Sequence, residues 1–241
     1  MQFLSEVYWD RGAGAVNQDS VSLQQVSIRG EKVMFALICD GIGGLAKGEM
    51  ASGFVAERMT EWFYMEAVRM LKRKKGRKKL VRAGLRALYG CNEDMNIYGK
   101  RQGMKFGTTV TMLIMQEKQY VLWHSGDTRM YRIAAGIRGN VKIKQLTADH
   151  TADNRTLIRC VGSFSWKEPD IQWGKMKKKD ILLLCSDGFR NRMPEEKIGE
   201  TLHPLFIVSQ EQMGMRLKEI AGYAKRHGER DNISAIAVKG F

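Results

Sequence analysis

Residues 33–39 form an unbroken apolar run, which predicts a strand buried on both faces, because a half-exposed strand would alternate apolar and polar residues. A second run of this kind covers residues 181–185. Residues 49–71 instead carry apolar side chains at three- and four-residue spacing, as expected for a helix packed on one side. A second helix is predicted for residues 79–98.

Further segments extend this alternation of strands and helices. Strands are predicted for residues 108–115, 120–124, 130–134, 141–145 and 233–238, and a helix for residues 210–225. Pro194 suits the first turn of another short helix. Helix pairs placed between groups of strands predict a layered α+β fold. The chain has only three prolines and no Pro/Gly/Ser-rich linker, so residues 1–241 are expected to form a single domain.

The net charge of +14 favours acidic partners such as phosphorylated proteins, nucleic acids or anionic lipids. Much of the excess lies in residues 72–79, KRKKGRKK. The favoured interpretation of this run is a solvated connection between two helices, with a docking patch as the alternative. We do not expect a nucleic-acid binder, because no aromatic side chains for base stacking are interleaved with the basic residues.

Three features of the sequence bear on the cellular compartment. No segment approaches the roughly 18 apolar residues that a membrane span requires, and the first residues do not resemble a signal peptide. The four cysteines show no CxxC spacing. We therefore expect a cytoplasmic protein with reduced thiols and no membrane span.

Three aspartates lie next to the buried strand candidates. Asp40 directly follows the first apolar run, Asp187 comes two residues after the second, and Asp231 lies just before the last strand. An aspartate is rarely buried without a positive partner. Any one of them is better explained as a turn or helix cap. All three together, with Asp19 and Asp127 in addition, favour a divalent cation held by carboxylate oxygens.

Eight short motifs occur along nearly the whole chain in a fixed order. They are residues 17–20 (NQDS), 39–44 (CDGIGG), 48–52 (GEMAS), 107–109 (GTT), 124–129 (HSGDTR), 146–150 (LTADH), 185–188 (CSDG) and 230–232 (RDN). Each motif alone is common, whereas all of them in this order are specific. With these motifs the chain resembles the PPM family, the 2C-type metal-dependent Ser/Thr protein phosphatases, and most closely its compact bacterial members.

The resemblance implies a four-layer αββα sandwich, with two antiparallel sheets flanked by helix pairs. It also implies two divalent cations, Mn²⁺ or Mg²⁺, which activate a water for in-line attack on phosphorus. Asp40 would bridge both cations, and Gly41 would bind one of them through its carbonyl. Asp187 and Asp231 would hold the other, and Asp19 would act nearby through water. Asp19, Asp40, Asp187 and Asp231 are thus the expected catalytic residues.

The function implied is hydrolysis of phosphoserine and phosphothreonine in proteins. The partners would be phosphorylated protein substrates and a cognate Ser/Thr kinase, and the chain is expected to be monomeric. A cysteine-dependent phosphatase is excluded by spacing, because four residues rather than five separate Cys185 from Arg190.

Two departures from the family concern the substrate. Many relatives carry a histidine, proposed as a general acid, where this chain has Ile42. The family's phosphate-binding arginine is replaced by Gly14 or Ala15, and Arg11 is the nearest candidate substitute. A guanidinium can grip two phosphoryl oxygens at once, so its loss predicts weak phosphate binding.

Two further departures concern the third metal and the flap. Bacterial relatives often bind a third cation through two aspartates, which here correspond to Asp127 and the neutral Asn191, so a third metal would bind weakly. Residues 152–158 leave almost no room for the usual flap. The alternative to an active enzyme is therefore a catalytically weakened relative that binds phosphoprotein or regulates. The intact Asp40, Asp187 and Asp231 favour activity.

Overall fold

The computed structural model describes residues 2–42, 47–136, 139–153, 156–162 and 165–241. The strands are β1 (Phe3–Asp10), β2 (Asp19–Ile28), β3 (Glu31–Asp40), β4 (Gly107–Thr108), β5 (Val110–Gln116), β6 (Gln119–Ser125), β7 (Arg129–Ala135), β8 (Val141–Gln145), β9 (Thr151–Ala152), β10 (Thr156–Leu157), β11 (Val161–Gly162), β12 (Asp170–Lys175), β13 (Ile181–Cys185) and β14 (Ile233–Gly240). The helices are α1 (Gly48–Trp62), α2 (Val68–Lys72), α3 (Arg77–Gln102), α4 (Asp187–Arg190), α5 (Glu195–Thr201) and α6 (Gln210–Arg226).

Ten of the strands form two five-stranded sheets. Sheet I has the order β1-β14-β13-β7-β8, and sheet II has the order β12-β6-β5-β3-β2. Every pairing within both sheets is antiparallel. The remaining strands form two small ladders, β9 with β10 and β4 with β11.

The side chains of β3 point alternately to the two faces of sheet II, and their contacts show how the layers stack. Phe35 and Leu37 pack against α1 and α3 on the outer face of sheet II, whereas Met34, Ala36 and Ile38 pack between the two sheets. Both faces of β3 are thus covered, which explains its unbroken apolar run. The helices α4, α5 and α6 cover the outer face of sheet I with a third apolar cluster. The predicted four-layer αββα sandwich is confirmed.

Most of the predicted elements are present with small shifts at their ends. The predicted helix at residues 49–71 is α1 and α2 joined by a π-helical turn, Phe63–Ala67, and α3 exceeds its predicted range at both ends. The strand predicted at residues 108–115 is interrupted at Thr109. The N–H of Thr109 donates to the carbonyl of Asp40, the last residue of β3, at 2.8 Å.

The sequence did not predict β1, β2, β12 or the short strands β9, β10 and β11. β2 and β12 are the edge strands of sheet II, and β1 is an edge strand of sheet I. Their residues are mostly half-buried and of mixed polarity, so no apolar run marks them. Gly43 and Gly44 of the glycine-rich motif lie outside the described residues.

The basic run connects α2 to α3. Residues 72–79 are all exposed, which fits the solvated connection favoured from the sequence. Within the described residues, no helix is both long and apolar enough to cross a membrane.

Candidate metal centre

The centre of the site is a pair of aspartates on neighbouring strands. Asp19 opens β2 and Asp40 closes β3, and the antiparallel register places them directly opposite each other. Two threonines fix the main chain of Asp40. Its N–H donates to Oγ1 of Thr109 (2.9 Å), and its carbonyl accepts from Oγ1 of Thr108 (2.8 Å). The GTT motif therefore holds Asp40 at the edge of the sheet.

Gly41 follows Asp40 and is needed for a close approach between backbones. Its N–H donates to the carbonyl of Gln18 at 3.0 Å. A Cβ at this position would lie 2.3 Å from the carbonyl oxygen of Gly48, at the start of α1. Only glycine therefore lets the first turn of α1 pack against the end of β3.

Asp187 and Asp231 come from sheet I. Asp187 starts α4 directly after β13, and Asp231 lies just before β14, the strand paired with β13. Beside them, Ser186 and Ser234 exchange hydrogen bonds of 3.0 Å. A Cβ on Gly188 would lie 2.2 Å from the carbonyl oxygen of Asn232, so glycine again permits close packing. The two aspartates thus lie at one edge of the sandwich.

Asn232 ties the loop before Asp19 to the segment that carries Asp231, a role that the sequence analysis missed. Its Oδ1 accepts from the N–H of Gln18 (2.7 Å), and its Nδ2 donates to the carbonyl of Arg11 (2.8 Å). Asn232 is buried, although it follows an exposed aspartate. A buried asparagine beside a candidate ligand was the available signal.

The electrostatics of the cluster are those of carboxylates without a cation. Burial raises the pKa of Asp19 to about 7, with further contributions from Asp187 and Asp231. Burial and the charges of the other aspartates raise the pKa of Asp40 well above its usual range. Partial burial and the charge of Asp187 also raise the pKa of Asp231.

The five aspartates fit a divalent cation by the type of their donor atoms. Within the described part of the chain, no carboxylate oxygen of Asp19, Asp40, Asp127, Asp187 or Asp231 lies within 4.0 Å of a Lys, Arg or His side-chain nitrogen. The Oδ2 atom of Asp19 is buried without a hydrogen-bond partner. Carboxylate oxygens in this state are the ligands that Mg²⁺ and Mn²⁺ prefer.

The coordination sphere is not preassembled. No group of three or more His, Cys, Asp and Glu side chains among the described residues is arranged closely enough to hold a metal ion. Like charges repel one another, so side chains of this cluster would have to turn towards a cation on binding. The fold thus brings the five predicted aspartates to one edge, and the assignment of individual ligands stays a prediction.

The position of the predicted third metal has its own cation. Asp127 follows β6, and burial together with Asp187 raises its pKa to about 6, whereas Arg190 acts in the opposite direction. Asn191 follows α4, and its Nδ2 donates to Oδ2 of Asp187 at 3.3 Å. A weak third metal at Asp127 stays a prediction.

The residues expected to lie near a bound substrate are mostly exposed. Arg11 is exposed in the loop after β1. Ala15 is also exposed. At the predicted flap, the described residues form only the short β9–β10 ladder, and residues 154–155 lie outside them.

Three further polar side chains near the site, Arg129, His124 and His150, have structural partners. Arg129 donates to both carboxylate oxygens of Asp149 (2.8 and 3.1 Å from Nε) and to Oε1 of Glu195 (2.9 Å). His124 is buried, and burial together with His150 lowers its pKa to about 4, so its ring is neutral at pH 7. Nδ1 of His150 accepts from the N–H of Gly126 (3.1 Å), and Nδ1 of His124 lies 2.9 Å from Oγ1 of Thr111, so both histidines have structural contacts.

Comparison with known proteins identifies the family. Residues 10–220 match the family model described as Protein phosphatase 2C. The chain belongs to the Protein phosphatase 2C family. The resemblance seen in the motifs is thereby confirmed.

Individual relatives agree with this membership. The serine/threonine phosphatase stp of Listeria monocytogenes is 26% identical over 227 residues, which cover 84% of this chain and 83% of that protein. PstP of Mycobacterium tuberculosis, named a serine/threonine protein phosphatase, is 28% identical over 95% of this chain, which spans 43% of its length. The crystal structure of the PstP catalytic domain in complex with two manganese ions has a TM-score of 0.77, 24% identity, and coverage of 98% and 97%.

Proposed function

We propose that this chain is a metal-dependent protein phosphatase, which hydrolyses phosphoserine and phosphothreonine in proteins. The observation that carries the proposal is the convergence of Asp19, Asp40, Asp187 and Asp231 at one edge without a cationic partner among the described residues. Membership of the Protein phosphatase 2C family and the serine/threonine phosphatases among its relatives support it.

In this proposal Asp40 would contact both divalent cations. The carbonyl of Gly41 would help to hold one of them, and Asp187 and Asp231 would hold the other. When bound, these cations would lower the pKa of water and offset negative charge on the phosphoryl oxygens. The manganese ions of the PstP structure favour Mn²⁺, and Mg²⁺ is the alternative.

The chain's own residues position these groups. Thr108 and Thr109 hold the Asp40 backbone, so its carboxylate starts from a fixed point at the end of β3. Asp19, opposite Asp40, contributes a second carboxylate that is only 2% exposed. Ile42 cannot donate a proton to the departing oxygen.

The partners that follow from this activity are phosphorylated proteins and a Ser/Thr kinase that supplies them. The net charge of +14 disfavours self-association and so supports a monomer. The buried free thiols of Cys39, Cys91 and Cys185 support a reducing, cytoplasmic compartment. Pairing of β1 with β14, from the two ends of the chain, supports one domain over residues 1–241.

The test is release of phosphate from phosphoserine and phosphothreonine peptides with Mn²⁺, with Mg²⁺ and with EDTA. We expect turnover that requires the cation and is abolished by Asp40→Asn. Asp94→Asn provides a matched control, because Asp94 is an exposed carboxylate on α3 that pairs with Arg58. Full turnover in EDTA would contradict the proposal. Tight binding of phosphopeptide without turnover would favour the weakened, regulatory alternative.

A further inference from the structure

The guanidinium of Arg190 lies between the two residues assigned to a third metal. Arg190 is the last residue of α4, and its side chain is only 11% exposed. Its Nη2 donates to the carbonyl oxygen of Asp127 (3.1 Å), and its Nη1 donates to Oδ1 of Asn191 (3.1 Å). One side chain therefore binds both sides of the predicted third site.

A third contact fixes the charge in this place. Nη2 of Arg190 lies 3.5 Å from Oδ2 of Asp149, whose carboxylate is gripped by Arg129. The same Nη2 atom donates to the carbonyl oxygen of Asp127, so the positive charge also lies beside this residue. The carboxylates next to this position thus have a permanent cation.

The donor set left for a divalent ion does not fit. Asn191 offers a neutral amide oxygen that already accepts from Arg190, and its Nδ2 is bound to Asp187. Apart from Asp187, which the proposed two-metal centre uses, only the carboxylate of Asp127 would remain, beside a guanidinium that repels a cation. Hard divalent ions need several oxygen ligands.

We propose that Arg190 replaces the third metal ion, as a fixed cation that positions Asp127 and Asn191 beside a two-metal centre. This rests on the proposed function, because the first two metals belong to it. It follows that Asn191→Asp alone should not create a third site, since the new carboxylate would pair with Arg190. Removing the guanidinium as well should create one.

Calorimetric titration with Mn²⁺ tests how many ions each variant binds. We expect two ions for the wild type and for Asn191→Asp, and three for Arg190→Met/Asn191→Asp, with the extra ion lost when Asp127→Asn is added. Arg192→Met is the control, because Arg192 is a more exposed arginine two residues along the chain. Three ions in the wild type, or only two in the double variant, would overturn the inference.

A second measurement needs no metal. In EDTA, Arg190→Met should lower Tm, and this loss should be smaller when Asp127→Asn is already present, because the charge that Arg190 offsets is then gone. Equal losses in both backgrounds would overturn the inference. A wild type that binds no Mn²⁺ would instead contradict the proposed function, and the Tm comparison would then decide the role of Arg190.

A separate observation concerns the basic run. Two adjoining cavities of about 570 and 280 Å³ lie at the end of sheet II opposite Asp40, where β3 begins and β5 turns into β6. They share the side chains of Leu71 and Leu80 in their lining. The result is a groove with an apolar floor next to the exposed residues 72–79.

The rim of this groove is strongly basic. Five cationic side chains line the two cavities: Lys74, Lys75, Arg77, Lys118 and Lys175. Among the described lining residues, only Glu31 and Glu117 are acidic. Trp173, which is 42% exposed, also lines the groove, with Cζ of Arg77 5.9 Å from its ring. Charge and shape here complement an acidic chain with an apolar anchor.

We infer that this groove binds an acidic segment of a partner protein that carries an aromatic or aliphatic side chain. The β3 strand between the groove and Asp40 is ten residues long, so the two sites are roughly 30 Å apart. A segment bound in the groove would therefore not cover the aspartate cluster.

Fluorescence anisotropy with a labelled peptide of alternating Glu and Phe tests this inference on the whole chain. We expect salt-sensitive binding that Lys74→Glu/Lys75→Glu weakens at least tenfold and that Trp173→Ala also weakens. Lys100→Glu/Arg101→Glu, at the far end of α3, should change it less than twofold. No binding, equal loss in the control, or equal affinity for a DNA 20-mer or for anionic lipid vesicles would overturn the inference.

Discussion

Removing the charge of Asp19 should stabilise the metal-free protein, by an amount that depends on pH. Asp19 is 2% exposed, and burial with the charges of Asp187 and Asp231 raises its pKa from 3.8 to about 7. Between these values the folded state binds more protons than the unfolded state, so stability falls as pH rises. The destabilisation is absent below about pH 4 and complete above about pH 7.

The size of the effect follows from the same pKa values. A rise from 3.8 to about 7 corresponds to about 4 kcal/mol as an upper value. Asp19→Asn removes this term but places an amide where Oδ2 has no hydrogen-bond partner, which costs about 1–3 kcal/mol. We therefore expect a net gain of about 1–3 kcal/mol at pH 8, or about 2–12 °C in Tm.

Thermal unfolding in EDTA at pH 4.5 and pH 8 measures this gain. Asp19→Asn should raise Tm at pH 8 and lower it or leave it unchanged at pH 4.5. Asp94→Asn, at an exposed carboxylate, should change Tm little at either pH. Excess Mn²⁺ should reduce the advantage of Asp19→Asn, because the cation offsets the charge in the wild type. An equal Tm shift at both pH values would refute the reasoning.

Three further predictions concern phosphate binding, general acid catalysis and the stability of the fold around the site. Ala15→Arg should lower KM for a phosphopeptide about ten- to a hundredfold, with kcat nearly unchanged. Arg11→Ala should change KM less than twofold. A tenfold rise in KM for Arg11→Ala would assign phosphate binding to Arg11. Ile42→His should raise kcat for alkyl phosphates about tenfold or more and should change kcat for aryl phosphates little. Equal effects on both substrates in steady-state assays would argue against a missing general acid. Arg129→Lys should lower the free energy of unfolding, measured in urea, by about 1–3 kcal/mol, because the bidentate pair with Asp149 is lost. Arg58→Lys, at an exposed arginine, should not lower it. Equal losses for the two variants would contradict this prediction.

The sequence predicted best where both faces of an element are covered. β3 and β13 lie inside their sheets, so their apolar runs report burial directly. The edge strand β2 alternates polar side chains such as Ser20 and Ser22 with apolar ones over half-buried positions. Its pairing with β3 depends on long-range contacts that no local pattern encodes.

The candidate site divides in the same way. The aspartates could be found from their places at strand ends, and the resemblance carried by the motif order predicts their roles. The position of Arg190 could not, because it depends on how the single turn of α4 directs a side chain towards Asp127 in another part of the chain. The part played by Asn232 was hidden for the same reason, since its partners are Arg11 and Gln18.

The place of β14 in sheet I has a consequence for synthesis of the protein. This strand lies between β1 and β13, so both of them lack their neighbour until residues 233–240 have left the ribosome. Asp231 is synthesised just before this strand. A nascent chain therefore cannot pair β1 with β14 or complete the aspartate cluster until residues 231–240 have emerged. Sheet I and the candidate metal centre should thus form together, in one folding step that depends on this segment.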